Sequence, residues 1–222
     1  MQWNQLIPQQ EKGRKFEEKY AQLQYMFVGG DIEKLSEMKA DRAKESARLK
    51  WIAYKDQFFS TVLIAGDAFE STQMESTPMN ALSRHIKEYK TTASLPFDIT
   101  GKKNVDLKYY FGPNHYNTLK AYDKDVEKSE RLHLNELVPL GWKIVAWINK
   151  ALVIPMFDLF SSWGLHIGIV ILLMTLVIKL IILPFVFASY KSSAKMRVLK
   201  PQLDEINEKY PPEKMQERQQ AT

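Results

Sequence analysis

Residues 167–188 read IGIVILLMTLVIKLIILPFVFA, and this stretch determines what kind of protein the chain can be. Of its 22 residues, 16 are Ile, Leu, Val or Phe, and a helix of about 20 apolar residues spans a bilayer core. Each aliphatic residue near the helix centre favours insertion by about 0.3–0.6 kcal/mol, whereas one central lysine opposes it by about 2.5–3.5 kcal/mol. The stretch therefore predicts a transmembrane helix in spite of Lys179.

The charges on either side of this helix predict its orientation. Residues 189–200 (SYKSSAKMRVLK) carry four basic residues and no acid, whereas residues 158–166 (DLFSSWGLH) carry no Lys or Arg. By the positive-inside rule, we expect residues from 189 onward in the cytoplasm and residues 1–163 on the outer side of the membrane. The first 20 residues do not have the pattern of a signal peptide, so export of the outer part predicts an anchor helix upstream.

Lys179 lies deep within the apolar stretch. Nine residues separate it from Ala188, which is about 13–14 Å along a helix, so a lysine stem reaches the membrane surface with difficulty. One interpretation is a snorkelling lysine, and the other is an ammonium group that faces protein or a water-filled cavity. We favour the second, with Thr175 and Gly168 on the same helical face as Lys179. A single helix cannot form a cavity, so Lys179 predicts partner helices.

Residues 141–160 (GWKIVAWINKALVIPMFDLF) mix charged and bulky apolar residues. Trp142, Trp147 and Trp163 have the amphipathic shape that is enriched at membrane–water boundaries. The alternative is a helix buried in a protein core. We predict an interfacial amphipathic helix over residues 136–163, because the membrane stretch follows directly.

Residues 1–135 predict a β-rich domain with helical inserts. Residues 51–65 (WIAYKDQFFSTVLIA) predict one strand, and the alternation of residues 105–111 (VDLKYYF) predicts another. Residues 93–100 (ASLPFDIT) predict an edge strand, and the stretch from His115 predicts a short helix. Residues 32–50 predict a charged helix or a long loop. Three or four strands are few for a complete sandwich, so we expect a partial one.

The stretch that follows the membrane helix has coiled-coil spacing. Apolar residues recur at intervals of 3, 4, 3 and 4, at Met196, Leu199, Leu203, Ile206 and Tyr210. Pro201 lies inside this pattern and predicts a kink. The spacing favours a helix packed on a returning partner, with a helix on the membrane surface as the alternative.

The overall composition excludes several classes of function. The net charge is +5, but basic and acidic residues alternate and no arginine-rich patch with aromatics occurs, which argues against nucleic-acid binding. The chain has no cysteine, which excludes disulfides, zinc thiolate sites and cysteine nucleophiles. A membrane-tethered hydrolase is disfavoured because His85, His115, His133 and His166 are scattered outside any HExxH, GxSxG or phosphate-loop motif.

Residues 171–210 (ILLMTLVIKLIILPFVFASYKSSAKMRVLKPQLDEINEKY) resemble the YidC/Oxa/Alb family of membrane protein insertases. The shared pattern is an apolar helix with one basic residue and then a proline, followed by Ser-Ala-Lys-Met-Arg and a proline-containing helix. Upstream, LKYYFGPNHYNTLKAY and WIAYKDQFF are similar to the end of the large periplasmic β-sandwich of Gram-negative members.

The resemblance implies an insertase and chaperone that helps newly made proteins insert and fold in the inner membrane, with or without a Sec-type translocon. Lys179 falls where members typically have an arginine in a hydrophilic, positively charged groove. The cytoplasmic helix that helps to hand over substrate corresponds to a stretch that includes Lys195, Met196, Arg197, Leu199 and Pro201. Nascent membrane proteins and the lipid bilayer are the implied partners, with the Sec translocon and the ribosome as further candidates. No covalent chemistry, metal or cofactor is expected.

These observations predict an α+β membrane protein. The expected parts are a partial periplasmic β-sandwich over residues 1–135, the interfacial helix over 136–163, one transmembrane helix over 164–188 and the start of a cytoplasmic helical hairpin over 189–222. The alternative function is a single-pass membrane-anchored periplasmic binding protein, which would have no need for Lys179.

Overall fold

The computed structural model of the protein describes residues 1–96, 98, 100 and 104–209, with side chains described up to residue 201. The backbone forms two compact units, Met1–Pro139 and Leu140–Thr222, which we call the sandwich unit and the helical unit. The first is rich in strands and the second is helical, so the predicted α+β class is confirmed.

The described part of the sandwich unit contains two antiparallel sheets. One has the strand order β1-β8-β7-β4 and the other β3-β2-β5-β6-β9. The strands are β1 Gln2–Pro8, β2 Gln22–Phe27, β3 Ile32–Lys34, β4 Asp41–Glu45, β5 Leu49–Lys55, β6 Phe59–Phe69, β7 Ser71–Pro78, β8 His85–Ser94 and β9 Leu107–Pro113.

Short helices complete this unit. They are α1 Arg14–Tyr20 and α2 Tyr116–Lys120, with 3₁₀ turns at Ala121–Asp123, Lys128–Glu130 and Leu134–Leu137. The helix predicted from His115 is confirmed as α2 and the turn that follows it.

The five-stranded sheet is buried on both faces. Its inner face, which includes Ile52 and Leu63, packs on the other sheet, which contributes Tyr89 to the same buried cluster. Its outer face packs on α2 and the last 3₁₀ turn, with Trp51 buried among these residues and its indole N–H donating to the Leu132 carbonyl at 2.7 Å. Burial on both faces explains the apolar runs at residues 51–54 of β5 and 62–65 of β6.

The prediction of one strand over residues 51–65 is wrong, because the stretch forms the β5–β6 hairpin. The Asp56 carboxylate accepts hydrogen bonds from the backbone N–H groups of Phe58 and Phe59 at 2.7 and 2.5 Å. An Asp side chain that binds the backbone two and three residues later makes a turn without Gly or Pro. The absence of Gly and Pro was therefore a misleading signal.

The prediction of a helix or loop over residues 32–50 is also wrong, because the stretch holds β3, β4 and the start of β5. Both β3 and β4 are edge strands of their sheets. Charged residues are common on edge strands because they discourage pairing with other chains, and they obscure the apolar alternation that reveals a strand. For residues 93–100, the strand ends at Ser94, ahead of Leu95 and Pro96. Phe97 and Ile99 lie outside the described residues.

Two buried lysines hold the C-terminal end of α1. The Lys55 ammonium donates to the Tyr20 carbonyl at 2.8 Å, and the Lys87 ammonium donates to the carbonyls of Ala21 and Glu37. A helix C-terminus carries unpaired carbonyls and partial negative charge, so both contacts are favourable. Desolvation lowers the pKa of each lysine to about 8, although acidic groups that include Glu37 oppose the shift.

The helical unit contains three α-helices in its described part. They are α3 Lys143–Ile148, α4 Ile154–Ser162 and α5 Ile167–Lys209, with a π-helical turn at Asn149–Val153 between α3 and α4. The helix predicted over 164–188 does not end at residue 188, because α5 continues to Lys209 through Pro184 and Pro201. The helix predicted over 136–163 begins at Lys143 in the structure, after the 3₁₀ turn Leu134–Leu137 and the irregular residues 138–142.

Candidate functional site

The candidate site lies on α5, which begins at a tight turn after α4. Gly164 has a φ of 69°, a conformation that glycine adopts without the steric cost of a Cβ. The first helical amides are bound by His166, whose ring Nδ1 accepts from Gly168 N at 3.3 Å and whose carbonyl accepts from Ile169 N at 2.8 Å. These contacts fix the start of the helix and therefore the direction in which each of its faces points.

Two helical segments of the described chain are long and apolar enough to cross a membrane, Lys143–Ser162 and Ile167–Pro201. Their mean hydropathies are 1.5 and 2.9, and the protein itself buries little of either. A helix that is apolar on all sides and not buried in protein is suited to lipid. The sequence predicted only one membrane-spanning helix, so Lys143–Ser162 is a second candidate that the sequence did not predict. The interfacial location of this segment stays a prediction.

The first of these segments contains a π-helical turn with a local cause. Pro155 follows this turn, and it lacks a backbone N–H while its ring clashes with the carbonyl four residues earlier. The wider π turn at Asn149–Val153 accommodates the ring without ending the helix. α3 and α4 therefore form one interrupted helical segment.

α4 packs on one face of α5. Met156 and Phe160 of α4 are buried with Val170 of α5, and Leu173, Met174, Val177 and Ile178 are partly buried around them. The α5 residues recur at intervals of three and four, which defines one stripe of the helix. We call this stripe the packed face.

Lys179 lies on the opposite side of α5. It follows Val170 by nine residues, and at 3.6 residues per turn this is a rotation of about 180° from the centre of the packed face. Thr175 and Gly168 lie within about 40° of the Lys179 direction, together with Leu172. We call this stripe the Lys179 face, and all four of its residues are exposed.

The polar groups of the Lys179 face are only partly engaged. The Thr175 hydroxyl donates to the Ile171 carbonyl at 2.8 Å, which leaves its oxygen able to accept a further hydrogen bond. Lys179 forms no ion pair with any residue of the described chain. An unpaired ammonium group on a helix within the bilayer requires a polar partner or water next to it.

The three tryptophans predicted as interfacial anchors are exposed, with relative accessibilities of 84% for Trp142, 68% for Trp147 and 59% for Trp163. Trp142 directly precedes α3, and Trp163 directly follows α4, where its ring contacts Phe160 edge-on at 5.2 Å. Two of the three rings thus mark the ends of the first apolar segment.

The predicted hand-over residues all lie on the continuation of α5. Lys195, Met196, Arg197, Leu199 and Pro201 are exposed. Leu203 and Ile206 belong to the helix but their side chains are not described, and Tyr210 lies outside the described residues. The structure places the three predicted groove residues, Lys179, Thr175 and Gly168, on one face of α5 and leaves the hand-over residues further along the same helix.

Comparisons with known proteins identify the family. Residues 1–155 match the family model of the YidC periplasmic domain, and residues 158–222 match that of the 60Kd inner membrane protein. The chain belongs to the YidC family. Together the two family models cover nearly the whole chain, so the resemblance predicted from the sequence is confirmed, as is the location in the inner membrane with a periplasmic domain.

Several membrane protein insertases named YidC are similar to the chain. That of Parabacteroides distasonis is 52% identical over 221 residues, which are 99% of this chain and 35% of the relative. That of Bacteroides fragilis is 49% identical over 94% of this chain and 34% of the relative. That of Azobacteroides pseudotrichonymphae is 49% identical over the whole chain and 36% of the relative. The chain thus spans about a third of the length of these curated YidC relatives.

Sequence reasoning missed the packed face. Its signal was present in the spacing of Val170, Leu173, Met174 and Val177, but in a helix that is apolar all round such a stripe does not stand out. Only the contacts of Met156 and Phe160 show which face of this YidC-family helix is covered by its own chain.

Proposed function

We propose that this chain forms part of a membrane protein insertase and chaperone, in which the Lys179 face of α5 lines a hydrophilic, positively charged groove. The observation that carries the proposal is the placement of α4 on the packed face, which leaves Lys179, Thr175 and Gly168 turned away from it. The relatives named membrane protein insertase support the same function.

Insertion through such a groove requires no covalent step. A polar segment that enters hydrocarbon loses its hydrogen bonds with water, which costs several kcal/mol for each unsatisfied group. A wet groove with a positive charge lowers this cost part of the way across the bilayer. Transfer of the apolar helix of the substrate into lipid then supplies the driving free energy.

In this mechanism, Lys179 attracts acidic or polar residues of the passing segment, and the Thr175 hydroxyl accepts hydrogen bonds beside it. Lysine presents a compact ammonium group, whereas the arginine typical of the family presents a planar fork of donors. The mechanism accordingly uses charge attraction at Lys179 and no bidentate contact.

The flanking elements have supporting roles in the proposal. Trp142, Trp147 and Trp163 set the height of the helical unit at the outer membrane boundary, because indole rings favour that depth. The basic stretch around Lys195 and Arg197 lies in the cytoplasm and helps to hand over substrate. Nascent membrane proteins and lipid are the partners, and the Sec translocon and the ribosome are candidate partners during synthesis.

Substitutions at Lys179 test the role of its charge. The chain would replace the matching segment of the Parabacteroides distasonis insertase, and protease protection would report insertion of a protein with an acidic translocated segment. Lys179→Glu converts attraction into repulsion, so we expect insertion to fall about ten-fold, equivalent to about 1.4 kcal/mol. Lys179→Met should give an intermediate loss.

Lys179→Arg is the matched control, because it keeps the charge and should retain insertion. Equal insertion by the Glu, Met and Arg variants for every substrate would contradict a role for Lys179. That result would favour the alternative of an anchored periplasmic binding protein.

A further inference from the structure

The sandwich unit contains a basic pocket that the insertase function does not use. It has a volume of about 470 Å³ and lies between α2 and the segment that leads to the last 3₁₀ turn. Four basic side chains line it, from Lys120, Lys124, Arg131 and His133, and the amides of Asn117 and Asn135 add further polar groups. The two lysines and the arginine among them carry a positive charge at neutral pH.

The carboxylate in the pocket is already engaged. Both oxygens of Asp123 accept backbone hydrogen bonds, from Leu132 N at 2.6 Å and from His133 N at 2.9 Å. The other acids of this loop, Asp125, Glu127 and Glu130, do not line the pocket. Neither Lys124 nor Arg131 forms an ion pair with an acid of the described residues, whereas the Glu136 carboxylate lies 3.8 Å from the His133 ring.

The loop around the pocket is held in an unusual backbone conformation. Asp125 and His133 have φ angles of 60° and 50°, and they are the only non-glycine residues with positive φ in the described chain. Such conformations are sterically unfavourable for residues with a Cβ and persist where the surrounding structure enforces them. Here the Asp123 carboxylate fixes the backbone at His133, which places Arg131 and His133 on the same cavity as Lys120.

We propose that this pocket binds a phosphate group, and that the phosphate belongs to the headgroup of an anionic phospholipid. Lysine and arginine side chains form charge-assisted hydrogen bonds with phosphate oxygens, and arginine matches their geometry bidentately. Asn135 precedes Lys143, the first residue of the first apolar helix, by only eight residues. This short connection in the sequence to a helix apolar enough to cross a membrane favours a lipid over a soluble source.

Hydrogen exchange of the full chain in nanodiscs tests the proposal. Amide exchange of residues 117–135 would be compared in phosphatidylcholine alone, in phosphatidylcholine with phosphatidylglycerol, and in phosphatidylcholine with added inorganic phosphate. Phosphatidylglycerol should slow exchange about ten-fold, because protection follows the ratio of ligand concentration to Kd. The protection should weaken at high salt.

Two triple variants make the result specific to the pocket. Lys120→Gln, Lys124→Gln and Arg131→Gln together should abolish the protection by phosphatidylglycerol. The matched control replaces three exposed lysines elsewhere on the sandwich unit, Lys12, Lys15 and Lys39, by Gln and should leave it unchanged. Protection by inorganic phosphate alone would overturn the lipid source. No protection by either, or equal loss in both variants, would overturn the site.

Discussion

Trp51 in the sandwich unit is fully buried and its indole N–H is paired, whereas Trp147 in the helical unit is 68% exposed. The same contrast holds for lysines in apolar surroundings. Lys55 and Lys87 donate to backbone carbonyls of their own unit, but Lys179 finds no ion-pair partner in the described chain. The sandwich unit pairs the polar groups of Trp51, Lys55 and Lys87 internally, whereas the described part of the helical unit leaves Trp147 and Lys179 exposed.

The largest expected effect is the change in unfolding free energy when a tryptophan of either unit is replaced by alanine. Trp51→Ala removes a side chain that fills the core between the sheet and α2, so we expect the unfolding free energy of the sandwich unit to fall by about 3–5 kcal/mol. Trp147→Ala should leave it unchanged. Urea titrations read by near-UV circular dichroism would measure both, and equal losses would break the distinction between the units.

The next effect is a pH dependence confined to the sandwich unit. The native pKa of Lys55 and of Lys87 is lowered to about 8, below the ordinary 10.5, so between these values the unfolded chain binds more protons than the native one. Stability therefore rises with pH from about 8 toward 10, by at most about 1.4 kcal/mol per pH unit for each lysine.

Buried tyrosines reverse this trend at higher pH. Burial raises the pKa of Tyr54 and Tyr89, so above about pH 10 only the unfolded chain loses these protons and stability falls. We expect the unfolding free energy to rise by about 2–3 kcal/mol between pH 8 and 10. Lys87→Met should reduce the slope of unfolding free energy against pH by about half. A flat profile in the parent chain would show that the two lysines are not desolvated.

The smallest expected effect is the difference in stability cost between alanine substitutions at Gly66 and at Gly168. A Cβ at position 66 would lie 2.8 Å from the Asp106 Cβ, in the pairing of β6 with the segment before β9, so Gly66→Ala should cost about 1 kcal/mol. A Cβ at position 168 meets only the His166 ring, at 3.5 Å or more. Gly168→Ala should therefore be neutral for stability. A larger cost at residue 168 than at residue 66 would indicate that the start of α5 is already covered.

The sequence predicted the helical unit better than the sandwich unit, for a physical reason. Membrane helices are recognised by composition and length, which are local properties, so the region around Lys179 could be identified directly. The β5–β6 hairpin depends on one Asp56 side chain, and β4 depends on pairing with β7, a distant segment of the chain. Such non-local pairing is not visible in a window of sequence.

The candidate site could be predicted only in part. Helical periodicity placed Thr175 and Gly168 on the face of Lys179 from the sequence alone. It could not show which face α4 covers, because the packed face and the Lys179 face are both rich in aliphatic residues. The basic pocket was also invisible, since Lys120 and Arg131 are brought together by a loop whose conformation depends on the Asp123 carboxylate.

The central claim is that substrate passes along the Lys179 face of α5 and not along its packed face. Photo-cross-linking to a stalled nascent membrane protein tests it directly, with the cross-linking amino acid at position 172 or 174 of the chain joined to the remaining segments of the Parabacteroides distasonis insertase. Leu172 lies on the Lys179 face and Met174 on the packed face. We predict adducts with the nascent chain from position 172 and adducts within the insertase from position 174. Nascent-chain adducts from position 174 alone, or equally from both positions, would contradict the account.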